Sequence, residues 1–160
     1  MNFKIVTSRT SKEVTLDNLS RNLKPQSEIY SIQEDGEIYL GVISRKALVF
    51  LATEFADYAI KNYAKKEIPE AEVCLSLARR WIEDDCSVSK EELRAAYHAT
   101  HDAAAYAVAA AYAADAASAA SAASAVAYAA GKDKDKDKEL IRQGEFILDF
   151  LKSGKHLFLV

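Results

Sequence analysis

Between Ser89 and Ala130 the chain runs for 42 residues without a glycine or proline, and 22 of its 29 alanines lie between Ala95 and Ala130. Alanine has the best helix propensity and loses no side-chain entropy on ordering, so the stretch is predicted to be helical. Its length is then a geometric constraint. One continuous helix would be ~63 Å long, whereas a compact domain of this chain length is ~39 Å across. The stretch must therefore bend, protrude, or break into an antiparallel pair. Asp102 and Asp115 are the favoured break points, because aspartate caps a new helix, and a break is the expectation.

Within this segment Tyr112, Asp115, Ser118, Ser121 and Ser124 recur every third residue. A period of three on a 3.6-residue helix precesses by ~60° per repeat. These residues wind around the helix, which suits a helix enclosed by neighbours better than a flat ligand surface. A second pattern, Leu93, Tyr97, His101, Ala104, Val108, Tyr112 and Asp115, falls within about a third of the helical circumference and reads as a packed stripe. An ice-binding helix would need regularly spaced threonines, and only Thr100 is present in the segment.

Composition narrows the classes. Half of the 160 residues are hydrophobic, which is 80 positions; removing the 29 alanines leaves 51 larger apolar residues. That is enough for a core and too many for a disordered chain. The formal net charge of −3 argues against a nucleic-acid partner. A membrane span is not expected, because alanine is weakly apolar and the long stretch is interrupted by His98, His101, Asp102 and Asp115. Met1 to Ile5 lack the pattern of a signal peptide. Cys74 and Cys86 suit a reduced, cytoplasmic protein with unpaired thiols.

The expected fold is mainly α over a single domain, residues 1–160. It comprises a small N-terminal α+β element (strand, helix, hairpin) over 1–45 and an Ala-rich helical bundle over 46–160. Residues 2–6 read as a strand. Thr10-Ser11-Lys12-Glu13 has the form of a capping box, with Leu16, Leu19 and Leu23 following at helical spacing. Ile29–Ile32 and Ile38–Ile43 flank Asp35-Gly36, a hairpin signature that places Ile38, Leu40 and Val42 on one face. Ala47, Leu48, Leu51, Ala52, Phe55, Ala56, Ala59, Ile60 and Tyr63 form a helical stripe; Pro69 opens another, with Val73, Cys74, Leu77, Ala78, Trp81 and Ile82. Ser89-Lys90-Glu91-Glu92 is a second capping box, with Val88 and Leu93 placed as a hydrophobic staple. Gly131 suits the αL position after a helix. The alternating charges from Lys132 to Lys138 read as a solvated loop. Leu140, Ile141, Gly144, Ile147, Leu148 and Leu151 form the last helical stripe, which Gly154 stops. The closing His156 to Val160 segment reads as an edge strand beside residues 2–6 or as an apolar tail.

His98, His101 and Asp102 are the one cluster with the spacing of metal ligands or a general base. No further His or Cys group completes a shell, and a local His98–Asp102 surface pair accounts for the pattern. No glycine-rich phosphate loop or nucleophile elbow is present. No metal or cofactor is therefore expected. Trp81 with Arg79-Arg80 carries the residue types of interface anchors, though a core Trp81 beside solvated arginines is the favoured reading.

The order of parts from about residue 51 to 130 resembles the alanine-rich immunity proteins of bacteria and their phages. It is carried by Leu51-Ala-Thr-Glu-Phe-Ala-Asp-Tyr-Ala-Ile60, then Pro69 opening a helix with Ala78-Arg79-Arg80-Trp81. Ser87-Val-Ser89 and Arg94-Ala-Ala-Tyr-His98 follow, and alanine-dense helices end at Ala127-Tyr128-Ala129-Ala130. The chain departs from that pattern in its 45-residue lead and in having few basic and histidine residues among its alanines. The resemblance implies a non-enzymatic protein that binds and neutralises a toxin or defence factor. Steric occlusion is the expected mechanism, with Arg80, Trp81, Tyr97, His98, Asp102 and Tyr106 as candidate partner contacts. The alternatives are a metal-dependent enzyme built on His98, His101 and Asp102, and a structural, oligomerising helical protein.

Overall fold

A computed structural model of the chain describes residues 2–23, 30–34, 38–63, 69–84, 86–92, 95, 131 and 134–159. Strand β1 (Asn2–Val6) pairs antiparallel with β2 (Ser11–Thr15), from Asn2 opposite Thr15 to Val6 opposite Ser11. The hairpin is closed by Thr7, whose backbone N–H donates to the Thr10 carbonyl at 2.8 Å and whose hydroxyl accepts the Thr10 N–H at 2.9 Å. Helix α1 (Leu16–Leu19) and a 3₁₀ turn (Ser20–Asn22) follow. Strand β3 (Tyr30–Glu34) then pairs antiparallel with both β1 and β4 (Ile38–Ile43), giving the sheet order β2-β1-β3-β4.

This architecture corrects the expected fold class. Among the described residues a four-stranded antiparallel sheet packs with the helices, an α+β arrangement in place of the expected mainly helical bundle with a minor lead. The physical reason is shared burial. Phe3, Ile5, Val14, Ile32 and Ile43 from the sheet enter one apolar cluster with Leu48, Leu51, Ala52 and Phe55 from helix α2 (Arg45–Tyr63) and with Ile147, Leu148 and Leu151 from helix α4 (Lys134–Lys152). Each fully buried large side chain contributes about 1.5–3 kcal/mol, so the sheet and the helices are held by one common core. The order of N-terminal parts also differs. The capping-box residues Ser11-Lys12-Glu13 lie in β2, because pairing with β1 satisfies their backbone along a whole strand, whereas a cap satisfies one or two amides.

Strand β4 carries a bulge. Gln33 faces Tyr39 and Ile32 faces Gly41, so Leu40 is an extra residue between them. The bulge resets the alternation: Gly41 and Ile43 turn inward, and Val42 is 38% exposed. Val42 therefore does not share the core face expected for it. Gly41 is required by close approach, since a Cβ there would lie 2.5 Å from His156 Nε2.

Helix α2 (Arg45–Tyr63) starts at Ser44, whose hydroxyl accepts the Ala47 N–H at 3.1 Å and donates to the Leu159 carbonyl. Its expected stripe from Ala47 to Ala59 is buried. Helix α3 (Pro69–Glu83) begins at Pro69 as expected. Its inward row is rotated from the expected one: Cys74, Leu75 and Ala78 are buried while Val73 is exposed. Cys74 and Cys86 are unbridged. At Ser89 the capping box is formed: the Ser89 N–H donates to Glu92 Oε2 at 2.8 Å, and the Glu92 N–H donates to Ser89 Oγ at 3.1 Å. The backbone bond from Ser89, followed by the bond from its hydroxyl, holds the Glu92 carboxyl below its ordinary pKa. The alanine stretch beyond residue 95, with its expected break, lies outside the described residues.

The charge run expected as a loop is helical from its third residue: α4 spans Lys134–Lys152, with Asp135 and Asp137 in its first turn and Lys152 in its last. Those signs match the helix dipole. Gly154, which follows the end of α4, takes the left-handed conformation (φ 73°), whereas Gly131 has a φ of 126°, beyond the αL region expected for it. The C-terminal segment forms a 3₁₀ turn (Lys155–Phe158) and no edge strand. Its His156 is buried against Phe150 and Gly41, while Leu157 and Phe158 remain exposed. No described helix is long and apolar enough to cross a membrane.

Candidate functional site

Helix α4 organises the polar interior. Glu139, 2% exposed, accepts two hydrogen bonds from Arg142, Nε to Oε2 at 2.9 Å and Nη2 to Oε1 at 2.6 Å. Gln143 Nε2 donates to the same carboxylate at 3.0 Å, and Ser20 Oγ donates to Gln143 Oε1 at 2.8 Å. Such a network is tolerable in a core because its members satisfy one another. It also fixes the Arg142 guanidinium, which lies 3.5 Å from the centroid of the Tyr58 ring on α2.

Between these helices is a cleft of about 180 Å³, lined by Glu54, Phe55, Asp57, Tyr58 and Lys61 from α2 and by Arg142 and Phe146 from α4. Glu54, Asp57, Tyr58 and Lys61 share one face because they are three, four and seven residues apart. The two flanking cations are engaged. Lys61 Nζ lies 2.6 Å from Asp57 Oδ2, and Arg142 is held by Glu139. Arg79 of α3 approaches the same Asp57 oxygen at 3.5 Å. The hydrogen bond to Asp57, then its charge, holds the Lys61 ammonium above its ordinary pKa. Glu54 has no hydrogen bond or ion pair among the described residues. Burial pushes its carboxyl above the ordinary value; Arg79 opposes that shift, Asp57 adds to it, and Lys61 and Lys155 oppose it.

A second depression, about 480 Å³, lies over β2 and α1 and is lined by Asn2, Lys12, Glu13, Val14, Thr15, Asn18 and Asn22. Its polar groups already bond one another: Lys12 Nζ donates to Asn22 Oδ1 at 2.6 Å and Asn18 Nδ2 to Thr15 Oγ1 at 3.2 Å. It has no aromatic wall, and it is the weaker candidate.

Of the residues expected to contact a partner, Arg80 and Trp81 are described. Arg80 is exposed at the end of α3 and donates from Nη2 to the Ser87 carbonyl at 3.0 Å. Trp81 is partly buried against Val49, Ala78 and Val88, and Arg45 lies 5.5 Å from its ring centroid. The two side chains thus serve different surroundings. Tyr97, His98, Asp102 and Tyr106 lie outside the described residues, as does His101. Among the described residues no group of three or more His, Cys, Asp or Glu is placed to hold a metal ion.

Glu54, Tyr58, Arg142 and Phe146 are site residues that the sequence reading missed. The i, i+4 spacings Glu54–Tyr58 and Arg142–Phe146 are visible in the chain, but nothing local relates one pair to the other. In comparisons with known proteins, the chain matches no family model, no curated protein and no solved structure.

Proposed function

We propose that this protein acts by binding another protein, with the α2/α4 cleft as its anchor point. One observation carries the proposal: the cleft is the size of one inserted side chain and is walled by tyrosine, phenylalanine and arginine. Small-molecule pockets are usually about 300–1,000 Å³, so a cleft of about 180 Å³ suits an anchor residue better than a metabolite. Tyr and Arg are also enriched where binding energy concentrates in protein interfaces. The Trp81–Arg45 stack on α3 and α2 offers the same chemistry at a second place. In this proposal the chain is an immunity-type inhibitor: it neutralises a toxin or defence factor by covering it and needs no bond-making chemistry of its own.

The test is site-directed photo-cross-linking in the cells that make the protein. A photoreactive phenylalanine analogue replaces Lys61 at the cleft mouth or, as a control, Lys4 on the exposed side of the sheet. The proposal predicts a discrete protein adduct from position 61 that position 4 does not give. No adduct at 61, or the same adducts from both positions, contradicts it.

A further inference from the structure

Resting on the reading of the α2/α4 cleft as a protein-binding site, we propose that this cleft receives an arginine side chain of the partner, with Glu54 as its counter-ion. The charges on its walls lead there. Asp57 is matched by Lys61 at 2.6 Å and Arg79 at 3.5 Å, and Glu139 by the two-pronged contact of Arg142. Glu54 is left half-buried with no direct partner among the described residues. Burying a charge without a partner is unfavourable, so a cation entering the cleft restores what desolvation removed. An anion would meet Glu54 and Asp57 at the cleft wall. A metal ion would find two carboxylates, and no group of three or more possible ligands exists among the described residues.

The walls favour guanidinium over other cations. Arg142 already lies 3.5 Å from the Tyr58 ring centroid, so this helix pair holds a planar cation against an aromatic surface within the protein itself. Phe146 offers a further ring at the same cleft, and the volume of about 180 Å³ suits one long side chain. A guanidinium is also the cation best matched to a carboxylate, because its parallel N–H groups fit the two oxygens. The raised pKa of Glu54 agrees with this vacancy of charge, since burial is its largest cause.

The experiment uses the full chain labelled with ¹³C at glutamate side-chain carboxyls. It is titrated with the peptide acetyl-Gly-Arg-Gly-amide and with its citrulline counterpart, which keeps the shape and removes the charge. The expected result is that the arginine peptide moves the Glu54 carboxyl resonance and lowers its titration midpoint, while citrulline binds at least ~10-fold more weakly. Glu54→Gln should abolish the discrimination with an unchanged circular dichroism spectrum. Equal binding of the two peptides, or saturation that leaves the Glu54 resonance in place, overturns the proposal. The cross-link separates this inference from the reading beneath it. An adduct from position 61 that persists undiminished in Glu54→Gln overturns the arginine assignment and leaves protein binding standing. Peptide discrimination without any adduct supports the arginine pocket and removes the reading of it as an interface.

Discussion

The two flanks of α4 meet their neighbours in opposite ways. At Gly144 the helix touches α1 so closely that a Cβ would lie 2.3 Å from the Leu16 carbonyl oxygen. Two residues earlier and two later, Arg142 and Phe146 hold α4 against α2 but leave a cleft of about 180 Å³. The closed flank has backbone against backbone and a buried polar chain from Ser20 to Glu139; the open flank has rings, charges and a carboxyl with no direct partner among the described residues. One helix thus couples a contact that fixes the fold to an opening that a partner can use. Glu139 is shared by both, since it holds Gln143 on one side and Arg142 on the other.

Substitutions along this helix can break or sharpen that contrast. The largest effect is expected for Gly144→Ala. Its methyl meets a backbone oxygen that cannot rotate away, so the loss should reach about 3 kcal/mol, the upper end for overpacking. Urea unfolding measures it, and a loss below about 1 kcal/mol would show that α1 and α4 separate freely. Glu139→Ala should cost about 2 kcal/mol, because it removes the acceptor of three hydrogen bonds from Arg142 and Gln143. It should also free the guanidinium from Tyr58, visible as a shift of the tyrosine ring resonances. Ser20→Ala should cost about 1 kcal/mol by removing the hydroxyl that donates to Gln143 Oε1, with the cleft unaltered.

On the open flank the signs change. The folded-state pKa of Glu54 lies above its unfolded value, so the folded protein binds that proton more tightly. The associated stability is present at low pH and is lost as pH rises through the folded pKa. Ionised Glu54 therefore weakens the fold at neutral pH. Glu54→Gln should raise the melting temperature near about pH 7, and the gain should vanish below about pH 4. Thermal melts at the two pH values measure it, and a lower melting temperature at neutral pH would mean that Glu54 has a stabilising partner. The smallest effect belongs to Lys61→Met, which should leave the urea midpoint essentially unchanged, because Lys61 is 68% exposed and its ion pair is screened.

How much of this was legible in the chain follows from where each signal lies. Strand β1, the β3–β4 pairing, the buried face of α2, the capping box at Ser89 and the stop at Gly154 are local patterns, and they were readable. Strand β2 was not, because Thr10 to Glu13 spell a helix start whose outcome is decided by β1. The start of α4 was hidden because alternating Lys and Asp carry no apolar period, although Asp135 and Asp137 match a helix N-terminus. The bulge at Leu40 broke an alternation that sequence alone extends to Val42. The cleft was illegible for a deeper reason. Tyr58 and Arg142 come together through the shared core of α2, α4 and the sheet, and neither helix encodes the other's position.

The central claim is that Glu54 stands half-buried, with no hydrogen-bond or ion-pair partner among the described residues, in an opening that suits a cation. The most direct measurement is a pH titration of the Glu54 carboxyl in the free, full-length chain, followed by ¹³C NMR. A midpoint above the ordinary glutamate value of 4.5 is the predicted result. A midpoint at or below that value would mean that the carboxyl already has its partner, and would contradict the account.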